Sequence, residues 1–295
     1  VAELPVPVLA DESFDALGTT VRVVVEGAGA ADLAFRARRI VEDYDARLSR
    51  FRPDSELTAL NADPREEVPA SALLRDAVRA ALWAAERSNG LVDPTLLPAL
   101  EEAGYRESIT PSTEPLIPQT EPRAAKPDPT GAWRAIRLAP GAIVRPPGLR
   151  LDLGGSGKGH VADLVAQILT RAPRWAIDCG GDVRVGGVVE QEVVVAHPFG
   201  GEVARLTLTR GAVATSAVHA RAWEGGHHLI DPSTKRPAWT GIVAATATAS
   251  STLEAETLAK MALLGGPDVA RELATLYVDA QGNVVRCGEG PEARG

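Results

Sequence analysis

Glycines at 154, 155, 157 and 159 surround Lys158 in the stretch 151–163, LDLGGSGKGHVAD. Glycine lets backbone come close to a ligand, a helix N-terminus presents free N–H groups to an anion, and a lysine adds a point charge. The chemistry so described is the holding of a phosphate. Neither of two common phosphate loops fits. The P-loop pattern meets Asp152 where its first glycine belongs and Gly159 where its Ser/Thr belongs, and the dinucleotide pattern G-x-G-x-x-G ends on His160. A glycine-rich tight turn with a solvated lysine accounts for the same residues.

A second concentration lies at 211–237, GAVATSAVHARAWEGGHHLIDPSTKRP. It holds three of the five histidines, His219, His227 and His228, with Asp231 three residues after the last. An imidazole is a base near neutral pH, and a carboxylate beside it can orient the ring. Thr215 and Ser216 add hydroxyls suited to phosphate or ribose contacts. A hairpin with surface histidines and an Asp231-Pro232 turn is the plainer account. There is no G-x-S-x-G elbow and no H-E-x-x-H pattern, and neither Cys179 nor Cys287 has a partner at ligand spacing. In the stretch 177–182, IDCGGD, the glycine pair reads as a turn between two strands or as backbone laid against a flat ring.

Such residues need elements to position them. Alternating β-branched residues predict a strand over 17–26, and Leu33, Ala37, Ile40, Val41, Tyr44 and Leu48 predict a helix over 30–50. A second amphipathic helix covers 71–88 and stops at Asn89-Gly90, while 49–61 reads as polar and turn-rich around Pro53. Six prolines in 107–130 predict an exposed loop or linker. Beyond it, strands are expected at 133–138, 149–153, 175–179, 183–189, 192–196, 203–208 and 241–248. Helices are expected at 161–169 and 253–264, the second stopped by Gly265-Gly266-Pro267. Strands and helices intermix without a regular βαβ repeat, so the expected class is α+β.

With 45 % apolar residues in 295, the chain can bury a sizeable core. A formal net charge of −8 argues against a general nucleic-acid or anionic-membrane binder. No stretch reaches the ~18 apolar residues of a membrane span. The first residues show no signal peptide, which points to the cytoplasm, while the missing initiator Met is compatible with a removed leader and export.

In their order, the motifs resemble the ApbE family, the FAD:protein FMN transferases. The blocks are Leu17-Gly18-Thr19, then Ser49-Arg50-Phe51 with Ser55-Glu56-Leu57 and Leu60-Asn61, then Val92-Asp93-Pro94-Thr95 and 151–163. Gly180-Gly181-Asp182, Ala214-Thr215-Ser216 and His228-Leu229-Ile230-Asp231-Pro232 follow, so that the likeness runs from about residue 14 to 266. It implies an α+β fold of mixed and antiparallel sheets with helices packed around an FAD cleft, as a single domain over 1–295 with 107–130 as a loop or insertion. It implies an enzyme that binds FAD, cuts its pyrophosphate, passes FMN to a Thr or Ser hydroxyl of an acceptor flavoprotein and releases AMP.

On this resemblance His228 is the general base and Asp231 its orienting partner. Asn61, Gly157, Lys158, Asp163, Thr215 and Ser216 contact or shape the FAD site. Relatives carry Asp-x-x-x-Thr on a late helix, and these side chains hold Mg²⁺ with a carbonyl from the glycine loop. Here the pair is Glu256 and Lys260, and an ammonium cannot ligate a cation. Glu256 is then the one side-chain metal ligand left from that pair, Mg²⁺ is an open question, and Lys260 can set its own charge near the phosphates. Lys235 and Ala217 replace two family glycines. The altered metal site keeps two alternatives open, a non-catalytic FAD-binding protein and a hydrolase releasing FMN and AMP.

Overall fold

Val21, Val23 and Val25 alternate with solvent-facing or half-buried residues and are fully buried, the period-two pattern that lays one strand face on a core. Their strand, Thr19–Glu26, pairs with Leu9–Ala16 across a tight turn in which Leu17 and Gly18 both have positive φ, 57° and 65°. The computed structural model describes residues 8–109, 117–118 and 120–288. This hairpin is the edge of an eight-stranded antiparallel sheet. In spatial order the strands are Leu9–Ala16, Thr19–Glu26, Arg174–Cys179, Val183–Gly187, Gly211–Ala217, Ile242–Ala249, Leu276–Asp279 and Val284–Arg286.

Seven helices accompany it among the described residues: α1 (Ala30–Leu48), α2 (Glu56–Ala62), α3 (Ala72–Arg87), α4 (Leu97–Glu102), α5 (Gly157–Leu169), α6 (Thr252–Gly265) and α7 (Pro267–Leu273). The sheet's small residues decide where they sit. Ala212 and Ala214 meet Ala255, so α6 lies close against the strands Gly211–Ala217 and Ile242–Ala249, with α5 beside it and α1 beyond. On the opposite face Val185, Val213 and Leu276 pack against Val193, Val195 and Leu206 of a separate hairpin, Gln191–Ala196 with Glu202–Leu208. The α+β expectation and its antiparallel sheets agree with this architecture.

Several local expectations need correction. The segment 49–61 contains α2, whose Ser55 hydroxyl accepts the Thr58 N–H at 3.0 Å as a helix cap. The stretch 133–138 begins in a 3-10 turn, Ala132–Ala135, before a short strand, Arg137–Ala139. The stretch 149–153 forms no strand. Pro267 does not only stop α6 but opens α7, a position where its missing N–H costs nothing. The structure adds strands that the sequence pattern does not predict, among them Leu9–Ala16, Gly211–Ala217, Leu276–Asp279 and Val284–Arg286. In 107–130 the described residues form no helix or strand, and 110–116 and 119 lie outside the described residues. Its later part is tied down: Arg123 donates its N–H to the Trp239 carbonyl at 2.7 Å and Ala125 to that of Leu264 at 2.8 Å.

Candidate functional site

The glycine loop is fixed before it reaches α5. Asn61 donates Nδ2–H to the Leu151 carbonyl at 2.8 Å and accepts the Leu151 N–H at 2.7 Å, giving this segment the pair of bonds a neighbouring strand would give. The Asp152 N–H bonds the Pro94 carbonyl at 2.8 Å, and the Asp152 carboxylate meets Arg50 at 2.9 Å. Two of the first N–H groups of α5 are already used. Gly157 donates to the Leu153 carbonyl and Gly159 to Glu256 Oε2, both at 2.8 Å.

Gly159 is where α5 touches α6. A Cβ there would lie 2.7 Å from Leu253 Cα and 2.8 Å from Glu256 Oε2, so no larger residue fits without moving a helix. Asp163, one turn on, accepts the N–H groups of Thr252 at 2.8 Å and Leu253 at 3.0 Å and caps α6. The other Glu256 oxygen, Oε1, accepts from Lys260 Nζ at 2.8 Å, with the Glu256 side chain 1 % exposed. Burial raises the Glu256 carboxyl above its ordinary range, with the Lys260 ammonium pulling the other way.

Lys158 donates to Asp182, a carboxylate that is itself buried. Burial works against the ammonium, but Asp182 and Glu256 outweigh it and its pKa rises to about 12. Asp182 owes its place to Gly180 and Gly181, whose φ values of 67° and 93° close the turn from Arg174–Cys179 into Val183–Gly187.

His228 donates from its backbone N–H to the Arg221 carbonyl at 3.0 Å, and its Nδ1 lies 3.2 Å from the same oxygen. A carbonyl only accepts, so this bond fixes the proton on Nδ1 and leaves the lone pair on Nε2. Burial, followed by the charges of His227 and Lys260, holds the ring well below the usual imidazole range, so it is neutral at pH 7. Asp231 turns elsewhere. Its Oδ1 accepts from the N–H of Lys126 at 3.1 Å, the N–H of Ser233 at 2.9 Å and the Ser233 hydroxyl at 2.8 Å. The Arg221 carbonyl, not Asp231, is the group that orients His228.

A cleft of about 800 Å³ gathers Gly157, Lys158, Thr215, Ser216, His228 and Lys260. Thr215 bonds Thr246 hydroxyl to hydroxyl at 2.9 Å across the sheet. Asn61, Asp163, Asp231 and Glu256 lie behind the cleft wall and shape it through the contacts above. Sequence reasoning placed Arg50 and Asp182 in motifs without a role of their own and did not single out Arg221. Asp182 carried a signal, following directly on two glycines after a strand, whereas Arg221 acts through its backbone and leaves none. Among the described residues no three His, Cys, Asp or Glu side chains are placed to hold a metal ion. Both Glu256 oxygens are occupied and an ammonium stands beside them, so Glu256 and Lys260 do not suit Mg²⁺.

The description ApbE family belongs to a family model that matches residues 17–282. The FAD:protein FMN transferase of Treponema pallidum (strain Nichols) is 28% identical over 258 residues, 75% of this chain and 67% of that protein. The FAD:protein FMN transferase of Escherichia coli (strain K12) is 24% identical over 278 residues, 87% and 78% of the two chains. Among solved structures, the ApbE protein of Thermotoga maritima superposes with a TM-score of 0.79 at 25% identity, covering 95% of this chain and 97% of that one. The flavin transferase ApbE of Vibrio cholerae gives 0.73 at 19% identity over 96% and 98%, a likeness of fold.

Proposed function

The chain belongs to the ApbE family, and from that premise we propose that it is an FAD:protein FMN transferase, taking FAD as donor and a Thr or Ser hydroxyl of a partner protein as acceptor. The observation that carries the reading is one cleft holding both a neutral, oriented imidazole and the lysine-bearing N-terminus of α5. In this reading Lys158 and the start of α5 hold the FAD pyrophosphate and stabilise the charge that develops on it. His228 Nε2 takes the proton of the acceptor hydroxyl as its oxygen bonds the FMN phosphorus, and the bridging P–O bond breaks to release AMP. Thr215 and Ser216 line the donor pocket. Asn61 and Asp163 position the glycine loop and α6, and Asp231 holds the turn after His228. We take 1–295 as one unit for this activity, with 107–130 as a loop on it. The Glu256–Lys260 pair does not suit Mg²⁺, and the steps are assigned to the chain's own groups.

The test is incubation with FAD and a threonine-bearing acceptor peptide. FMN mass on the peptide with AMP released supports transfer, and His228→Ala should lower that rate by ~10²–10⁴ while FAD still binds. Free FMN and AMP with an unmodified peptide would make the protein a hydrolase, and unchanged FAD would refute catalysis.

A further inference from the structure

The cleft floor carries two ammonium groups, each held by a buried carboxylate: Lys158 by Asp182 and Lys260 by Glu256. Lys260 lines the cleft while its side chain is only 10 % exposed, so the cleft is the open side of an otherwise enclosed group. An ammonium has three N–H donors. Among the described residues Lys260 gives a hydrogen bond to Glu256 Oε1 alone, at 2.8 Å. Both Glu256 oxygens are already engaged, Oε2 accepting from the Gly159 N–H at 2.8 Å.

We propose that Lys260, held in place by Glu256, is the fixed cation for the FAD pyrophosphate in this chain, so that FAD binds without a divalent metal. The inference rests on the FAD reading above. Two ammonium groups and two carboxylates balance, which lets the empty floor stay packed without repulsion between the lysines. An arriving pyrophosphate then offers both ammonium groups further acceptors without displacing either carboxylate. A divalent ion at the same spot would face an ammonium instead of an open ligand, and like charges a few ångströms apart in a buried site repel strongly. One ammonium polarises phosphate oxygens less than a coordinated metal does, so turnover should be modest but insensitive to chelator.

The experiment is a titration of the whole chain with FAD, read by flavin fluorescence, in EDTA and again in Mg²⁺. The expected dissociation constant is the same in both within about twofold. Lys260→Met should weaken FAD about tenfold or more in EDTA, the worth of a charge-assisted hydrogen bond, and Lys260→Arg should retain most of the affinity. Because Lys260→Met leaves Glu256 buried without its counter-charge, Lys260→Met/Glu256→Gln provides a second, neutral version, with melting curves confirming that it folds. Glu256→Asp/Lys260→Thr should turn FAD binding Mg²⁺-dependent. Binding by the parent chain only in Mg²⁺ would overturn this inference and leave the FAD reading standing, as would parent-like affinity of both methionine variants in EDTA. No saturable FAD signal in either buffer would overturn both.

Discussion

Gly159→Ala is the sharpest probe of how the cleft floor is built. The added methyl would sit 2.7 Å from Leu253 Cα, 2.8 Å from Leu253 N and 2.8 Å from Glu256 Oε2, whereas carbon contacts settle at about 3.5–4.0 Å. Two of these neighbours are backbone, so α5 and α6 must separate by on the order of 1 Å. Overpacking of this kind costs about 1–3 kcal/mol, and the Gly159 N–H bond to a charged oxygen, lost as the helices part, about 1.5–3 kcal/mol. Alanine's better helix propensity returns about 0.5–1 kcal/mol, leaving a net loss of about 2–5 kcal/mol. In a chain this long that lowers the melting temperature by roughly 3–8 °C. Gly157→Ala is the control two residues away, since its methyl would meet only Tyr44, at an ordinary 3.6 Å. It should melt at or slightly above the parent temperature. Thermal unfolding followed by circular dichroism reads both. A Gly159→Ala protein melting within 1–2 °C of the parent, roughly 1 kcal/mol, would refute the close-contact argument. Equal losses in both variants would show that flexibility of the loop matters and helix contact does not.

The remaining predictions concern acid stability and the seat of α6. His227 is 4 % exposed and burial lowers its pKa to about 4, so between pH 6.5 and 4 the unfolded chain binds the proton and the folded one does not. Its contribution is therefore complete above pH 6.5 and is lost as pH falls through 4, up to about 3 kcal/mol, with His228 adding in the same direction. Urea midpoints across this range check it: His227→Asn should flatten the acid limb, and a parent midpoint constant from pH 7 to 4.5 would contradict the assignment. Asp163→Ala removes the acceptor of two N–H groups at the start of α6 and should cost about 1–3 kcal/mol in urea while weakening FAD binding, because α6 carries Glu256 and Lys260.

What could be read from the sequence was what is stored locally. The strand Thr19–Glu26 and the helices α1 and α3 announce themselves through periodicity, and Ser71 caps α3 one residue before its first turn. Gly211–Ala217 does not, because nearly every residue in it is buried and no alternation survives. The stretch 149–153 alternates like a strand, yet its partner is the side chain of Asn61, about ninety residues away in sequence. The site divides in the same way. Lys158 is conspicuous among its glycines, but Asp182, which holds it, becomes a partner only when the sheet folds. Spacing alone suggested an Asp231–His228 pair, whereas the turn hands Asp231 to Ser233 and Lys126. Lys235 shows why glycine is usual at its place in the resembling family, since its φ is 61°. Its ammonium meets Asp128 in the proline-rich stretch.

The Glu256–Lys260 pair also constrains the routes by which this sequence can drift. Exchange with the Asp-x-x-x-Thr pattern of the resembling family takes two substitutions, and the order in which they occur is not neutral. Shortening the carboxylate first, Glu256→Asp, would draw it back from both the Gly159 N–H and the ammonium of Lys260, 10 % exposed, and no cation can take its place. Breaking a buried pair from one side costs about 3–5 kcal/mol, so loosening it takes a share of a typical domain's margin. Losing the lysine first leaves a carboxylate beside a new hydroxyl, and cellular Mg²⁺ is available to neutralise it. Lineages should therefore cross between the two arrangements through a Glu–Thr intermediate more often than through an Asp–Lys one. The two side chains, four positions apart on α6, act as one inherited character, gained and lost in a preferred sequence.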